Sequence, residues 1–549
     1  MTDLKETKVT MINKKLSAVG VAAAIALSAV ACNNDRLTNI NVNPNQPTTA
    51  PAPTLFTSAA RLGVSRWLGN FDIRGFELVA QHVAEVQYPE SDQYKRLAGS
   101  FTEGNFNAAY SSELKDFQEV IRQGTASNSP GIYGPALVMR TWEFGLLTDV
   151  WGDIPYFEAL KGDSTEVANR LTPAYDPQQN IINDFFVQLG KAVTDMRNAP
   201  AGSGSLGGAD PIYGGNLTNW VRFANSLRAR YAMRISYKDQ AKANTELTAA
   251  FSAANGGVMQ SNDDMALLPW PGDGVYDNPW SVNFQGRDDH RISDRLLTIM
   301  RERNDPRITV FAQLPDRDTL DTPLIEKWCL SGSPPCYVGL ANAYTHDEVA
   351  PYVPYASRPG EIFYPASTAY GEFAGTGSSY PSYIMTYAEV AFIQAEAAER
   401  SLGGLTPGQA QGFYEDGITA SMEQWGITDP ATIAAYLANP NVSYTAAGTQ
   451  VERLKRIAIQ KWLALFSDGA MAWAEFRRTC QPARLKPGPA AITDIIPQRF
   501  EYSPTEYAVN GTSVNAAVTR QGADDFDTPV WWNTNRTSAL TYEAGCGVR

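Results

Sequence analysis

Two pairs of aspartates stand at spacings from which acid–base chemistry could be built. Asp149 and Asp153 lie in TDVWGDIPY, and Asp273 and Asp277 in PGDGVYDNPW. Glycoside hydrolysis needs two carboxyl groups at a defined separation, one to protonate the leaving oxygen and one to attack or to activate water. The local composition argues for something plainer. Asp beside Gly and Pro is ordinary turn and capping chemistry, and with 58 acidic residues close pairs arise by chance. The three histidines, His82, His290 and His346, form no paired-ligand spacing. The sequence also carries no G-x-S-x-G elbow, no P-loop and no strand-linked G-x-G-x-x-G motif. No catalytic residue, metal ligand or cofactor is assigned, and the expected class is a binding protein. A surface glycosidase using a carboxylate pair and a helical-repeat envelope scaffold are the rival readings.

Binding chemistry has a denser signal. Flat sugar faces stack on aromatic rings while their hydroxyls need Asn, Asp, Gln or Arg partners, and peptides use similar mixed surfaces. LLPWPGDGVYDNPWSVNFQGR places Trp270, Asp273, Tyr276, Trp280, Asn283 and Arg287 close together, and QHVAEVQYPESDQYKR adds Tyr88 and Tyr94. These eight residues are the expected ligand site, for an oligosaccharide or a peptide. For any one ring the plain alternative is a small core built under a large loop.

Five cysteines divide into one and four. Cys32 ends VAAAIALSAVAC, an apolar run preceded by Lys14 and Lys15 and too short to span a membrane, so residues 1–31 read as an export signal. Ala29-Val30-Ala31 fits ordinary signal cleavage, and the same bond before cysteine fits a lipobox whose thiol is acylated (palmitate-type chains). The remaining Cys329, Cys336, Cys480 and Cys546 are an even number suited to two disulfides in an oxidising compartment. For CLSGSPPC a metal site is the rival, but the nearby histidines are too few. The lipid-anchor reading of Cys32 agrees with that count.

Around these residues the chain organises itself mainly as helices. Residues 32–54, rich in Asn, Pro and Thr, read as a flexible tether. In NWVRFANSLRARYAMRIS, Trp220, Phe223, Ala224, Leu227 and Tyr231 share one helical face, Arg222, Arg228, Arg230 and Arg234 occupy mostly its flanks, and Thr218 or Asn219 can cap it. SYIMTYAEVAFIQAEAAERSLGG is a second helix stopped by Gly403-Gly404, and TPGQAQGFYEDGITASMEQWGI a third, giving a hairpin of tetratricopeptide type. VERLKRIAIQKWLALFSDGAMAWAEFRRT adds another long helical pattern. From about 256 to 381 the texture turns loop-rich, and only SDRLLTIMRERN reads as helix; such a region usually carries function. The expected plan is one helical domain over 55–549 with that insertion. A net charge of −13 argues against a nucleic-acid partner, which needs clustered Lys and Arg.

Taken in order, Cys32, NVNPNQPT, LTDVWGDIPYFEAL, WVRFANSLRARYAMRIS, NDPRI, YIMTYAEVAFIQAEAAER and IQKWLALFSDGAMAWAEFRRT resemble the SusD/RagB family of outer-membrane nutrient-binding lipoproteins, most closely its second SusD-like branch. The resemblance spans nearly the whole mature chain. It implies a mainly α fold of four tetratricopeptide-like helix pairs forming a right-handed scaffold, with a loop-rich part carrying the ligand surface. It implies a lipid-anchored protein at the cell surface that captures glycans or peptides. Such a protein acts as the lid of a SusC-like TonB-dependent transporter barrel. Under it the Asp and Arg residues of TDVWGDIPY and FRRT are structural, and the family is not one of enzymes.

Overall fold

Helical periodicity carries most of the chain into helices in the computed structural model, which describes residues 50–95, 100–162, 171–315, 336–368, 371–372 and 375–534. All of these from Ala52 onward belong to one unit, Ala52–Arg549. In chain order come α1 (Ala52–Ser65), β1 (Val83–Glu85), α2 (Ser100–Ser111), α3 (Glu113–Ala126), α4 (Pro130–Trp151), α5 (Gln178–Arg197), α6 (Leu217–Arg234) and α7 (Gln240–Phe251). The loop-rich part follows with β2 (Ala266–Leu268), α8 (Pro279–Phe284), β3 (His290–Ile292) and α9 (Asp294–Arg301). Then come β4 (Ser382–Met385), α10 (Tyr387–Glu399), α11 (Pro407–Gln424), α12 (Pro430–Leu437), α13 (Gln450–Ala464), α14 (Gly469–Thr479) and α15 (Pro504–Gln521). The body starts at Ala52, inside the stretch expected to be tether. The expected export signal, Cys32 and the expected tether up to residue 49 lie outside the described residues.

Helices pack in pairs: α1 on α3, α4 on α5, α6 on α7, and α10 on α11. Neighbouring pairs touch through α3 and α4, α5 and α6, and α6 and α10, which makes a tetratricopeptide-like stack. The apolar face of α6 is buried as its spacing requires, with Trp220, Phe223, Ala224, Leu227 and Tyr231 all inside. Small residues set the closest approaches. A Cβ on Gly145 of α4 would stand 1.8 Å from the Tyr231 hydroxyl of α6, so only glycine fits there. The strands are short two-stranded clamps that tie the loop-rich part to the helices: β1 pairs antiparallel with β3, and β2 with β4.

Three local expectations change. Asn216, not Thr218 or Asn219, caps α6, its side chain accepting from both of those residues' amides at 3.0 and 3.3 Å. Arg230 and Arg234 are buried and not flanking; Arg230 pairs with Glu389 of α10, and Arg234 with Glu475 of α14 at 3.0 Å and Asp149 of α4 at 3.3 Å. The long pattern from Val451 to Thr479 breaks into α13 and α14. Ser467 takes φ 74°, and the Asp468 side chain caps α14 by accepting from the Met471 amide.

The ion pairs form a connected polar seam through the stack. Arg478 bridges Glu396 and Glu475, and Lys461 reaches Glu475 at 3.3 Å. Burial alone would push Glu475 up, but Arg478, Lys461 and Arg234 together hold it far below the ordinary carboxylate range. Such a seam adds little net stability over an apolar core, yet deleting one partner costs about 3–5 kcal/mol because the other charge is stranded.

Candidate functional site

The C-terminal end of α1 does not run straight into the next helix. Leu68 and Gly69 leave helical geometry, with φ/ψ of −112/23° and −128/−120°. The bend lets α8 press against the chain, since a Cβ on Gly69 would be 2.6 Å from the Pro279 ring. Asn278 fixes the start of α8. Its side-chain oxygen accepts from the Trp280 amide at 2.8 Å, and its amide nitrogen donates to the Tyr380 carbonyl at 2.8 Å. The loop before α8 is thereby hung over α1.

Between them opens a cleft of about 860 Å³. Of the expected site residues, Trp270, Tyr276, Asn283 and Arg287 line it. Tyr276 is 44% exposed, and the Arg61 guanidinium lies 3.7 Å from its ring centre. Trp270 shows little more than an edge, its indole N–H donating to Ser382 Oγ at 3.0 Å. Val275 and Val282 add exposed apolar surface, and the buried Asn283 amide nitrogen has no hydrogen-bond partner among the described residues. Arg287 pairs with Asp289 at 3.2 Å and stands over Tyr88, which places Tyr88 at the rim.

Asp273 belongs to the loop's own architecture. Its Oδ1 accepts from the Val275 and Tyr276 amides at 2.9 and 2.8 Å, and these two bonds hold its carboxyl below the usual range. Asp277 accepts from the Gly274 amide at 2.9 Å. The pair is turn chemistry. Asp149 and Asp153 are likewise committed: the first accepts from the Trp532 indole at 2.8 Å, and the second caps α5 through the Gln178 amide at 2.9 Å.

Two expected ligand residues lie elsewhere. Trp280 is only 2% exposed and packs on Phe363, ring centres 4.8 Å apart, and on Phe466, so it supports the cleft floor without offering a face. Tyr94 is wholly buried. The other wall of the cleft comes from residues the expected site did not include: Arg61, Leu62, Ser65, Asn70 and Arg74. Arg61 and Ser65 share a face of α1, but nothing in their neighbourhood announces a ligand.

His82 and His290 are buried, and burial pushes both imidazoles down to about 3, so they are neutral structural groups. Cys336 and Cys480 are each disulfide-bonded. Cys329 and Cys546 lie outside the described residues. Among the described residues no group of His, Cys, Asp or Glu is arranged to hold a metal ion, and no helix is long and apolar enough to cross a membrane.

A family model named SusD-like_2, described as starch-binding associating with outer membrane, matches residues 44–503. No curated protein matches the chain. Among solved structures, a chitin-binding protein is similar with a TM-score of 0.72 at 25% identity, covering 88% of this chain and 100% of that one. A chitin-binding SusD homologue from Flavobacterium johnsoniae has a TM-score of 0.71 at 24% identity, covering 88% of this chain and 99% of its own. A SusD homologue from Bacteroides fragilis has a TM-score of 0.70 at 26% identity, with the same coverage.

Proposed function

The chain belongs to the SusD-like family, whose description is starch-binding and outer-membrane associated, and from that premise we propose that it captures glycans for import. The observation that carries this reading is the open cleft lined by the half-exposed Tyr276 ring, with Trp270 and Asn283 in its wall. An aromatic face gives a sugar ring its apolar contact, and nearby donors orient its hydroxyls. Two of the similar structures are named as chitin-binding, which supports a saccharide over a peptide. The protein binds without turning its ligand over; both aspartates near the cleft are engaged by backbone amides. Acylated Cys32 holds the body at the outer membrane. The body closes over a SusC-like TonB-dependent barrel that receives the ligand.

Calorimetric titration against a panel of oligosaccharides tests the capture step. Saturable binding is expected, weakened about tenfold by Tyr276→Ala, the scale of one aromatic contact. Absence of saturable binding to any saccharide would refute it. Gentle solubilisation followed by affinity purification tests the partner, and recovery of the protein without any barrel would count against it.

A further inference from the structure

We infer that the cleft recognises an oligosaccharide carrying anionic groups on its rings, carboxylate or sulfate ester, in preference to a neutral one; this rests on the glycan-capture reading above. The argument starts from charge placement. The chain carries a net −13, yet three of the four charged side chains lining the cleft are arginines: Arg61, Arg74 and Arg287. The fourth, Asp277, already accepts from the Gly274 amide and lies 3.4 Å from the Gln285 amide nitrogen.

Elsewhere many arginines are matched to carboxylates, though Arg140, Arg456 and Arg477 are held by amide or carbonyl oxygens instead. Arg66 pairs with Glu113, Arg222 with Asp264, Arg228 with Glu246, and Arg230 with Glu389. In the cleft, Arg287 has Asp289, but Arg61 and Arg74 have no carboxylate at ion-pair distance among the described residues. Arg61 is stacked on Tyr276, and Arg74 reaches the Asn70 side-chain oxygen at 3.5 Å and stands over the Phe101 ring at 5.7 Å. Asp273 is the acid that the Arg61 charge feels, and its Oδ1 is engaged by two amides. Glu85, whose carboxyl lies in the field of Arg74, is buried and pushed up to about 8, so at neutral pH it leaves that guanidinium uncompensated.

The chemistry that completes this site is an oxyanion. Stacking on an aromatic ring fixes the plane of a guanidinium and leaves its N–H fork free for bidentate contact. The same Tyr276 ring and the apolar Val275 and Val282 provide the contact a sugar ring needs. A neutral saccharide would use these apolar surfaces but leave the Arg61 and Arg74 guanidiniums without an oxyanion in contact.

Matched probes isolate the anionic group. The full-length protein is titrated calorimetrically with oligogalacturonate and its methyl ester of the same length, and with a sulfated galactan oligosaccharide and its desulfated form. At least one acidic probe is expected to bind ten times more tightly than its neutral counterpart. That ratio should shrink in 0.5 M salt, where screening acts within about 3–8 Å. Arg61→Gln and Arg74→Gln should each reduce the ratio at least threefold, with circular dichroism confirming an unchanged fold. If the carboxylated pair shows the preference, the anion is a uronate; if the sulfated pair does, a sulfate ester. Equal affinity of acidic and neutral forms in both pairs, or a ratio untouched by both substitutions, overturns the inference. Saturable binding of a neutral chito-oligosaccharide alone would overturn it and leave glycan capture standing, whereas no binding of any saccharide removes both.

Discussion

Tyr276 and Trp280 stand four residues apart in sequence and take opposite parts. The tyrosine is 44% exposed at the cleft, and the tryptophan is 2% exposed beneath it. Tyr276→Ala is therefore expected to weaken saccharide binding while leaving the unfolding midpoint nearly unchanged. Trp280→Ala opens a cavity among Phe284, Phe363 and Phe466 and should cost about 3–5 kcal/mol in a denaturant titration. The sequence could place both in one aromatic cluster, but not tell the exposed ring from the buried one. That distinction depends on Phe363 and Phe466, contributed from far along the chain. A second residue-scale expectation concerns Glu85, whose Oε2 lies 3.3 Å from His290 Nε2. Burial first, then the Asp289 charge, pushes Glu85 up to about 8, and burial pushes His290 down to about 3. Both are neutral at pH 7. An unfolded glutamate titrates near about 4.3, so Glu85 favours the folded state most below that pH. Its contribution is lost as pH rises through about 8. His290 acts in the other direction: its contribution is present above about 6.5 and lost as pH falls toward about 3. Glu85→Gln should therefore raise the thermal midpoint relative to the parent by more at pH 8.5 than at pH 5. A difference that stays constant across that range would show that the carboxyl does not titrate there.

At the scale of elements, periodicity identified the helices and tertiary packing decided their breaks. The face of α6 was legible because Trp220, Phe223, Leu227 and Tyr231 recur at helical spacing. The burial of Arg230 and Arg234 was not, because their partners Glu389 and Glu475 arrive from other helices. The break between α13 and α14 has the same origin. Nothing in LFSDGAM forbids a continuous helix, but Gly469 is pressed against the backbone at Phe76 and Glu77, where a Cβ would lie 2.4 Å from the Glu77 nitrogen. Its amide also donates to Asp72 Oδ1 at 2.8 Å. Gly469→Ala is expected to destabilise the fold by about 1–3 kcal/mol or more, the range for overpacking against atoms that cannot yield. Gly404→Ala is the companion experiment. That residue has φ 78° with open space around its Cβ position, so only the left-handed backbone is penalised, at about 1–2 kcal/mol. A loss at Gly469→Ala well below about 1 kcal/mol in a denaturant titration would mean that the approach to residues 76 and 77 yields to a Cβ and does not fix the start of α14.

On the scale of the whole molecule, the cleft joins two parts of the chain that are remote in sequence. The half made by residues 270–287 was legible, since its aromatic and polar residues are crowded into one loop. The half made by Arg61, Ser65, Asn70 and Arg74 was not, because it faces the loop only through the close approach of Pro279 to Gly69, two residues far apart in sequence. The proposed anchor belongs to this scale as well. Cys32 and Ala52 are separated by the 19 residues 33–51, which fully extended reach at most about 60–70 Å at ~3.3–3.6 Å each. That length is enough for the body to stay tethered while its orientation changes, as a lid over a barrel requires. The anchor and the cleft are then independent parts, and a substitution at one should leave the other intact. Cys32→Ser is expected to move the protein from the outer-membrane fraction to the soluble fraction. The purified variant should retain the parent's thermal midpoint and saccharide affinity, yet growth on the bound saccharide should fall because capture is no longer held beside the transporter. If the variant remains in the outer-membrane fraction after washing at high salt, the acyl chain is not what holds the protein there, and Cys32 returns to the other readings its sequence context allows.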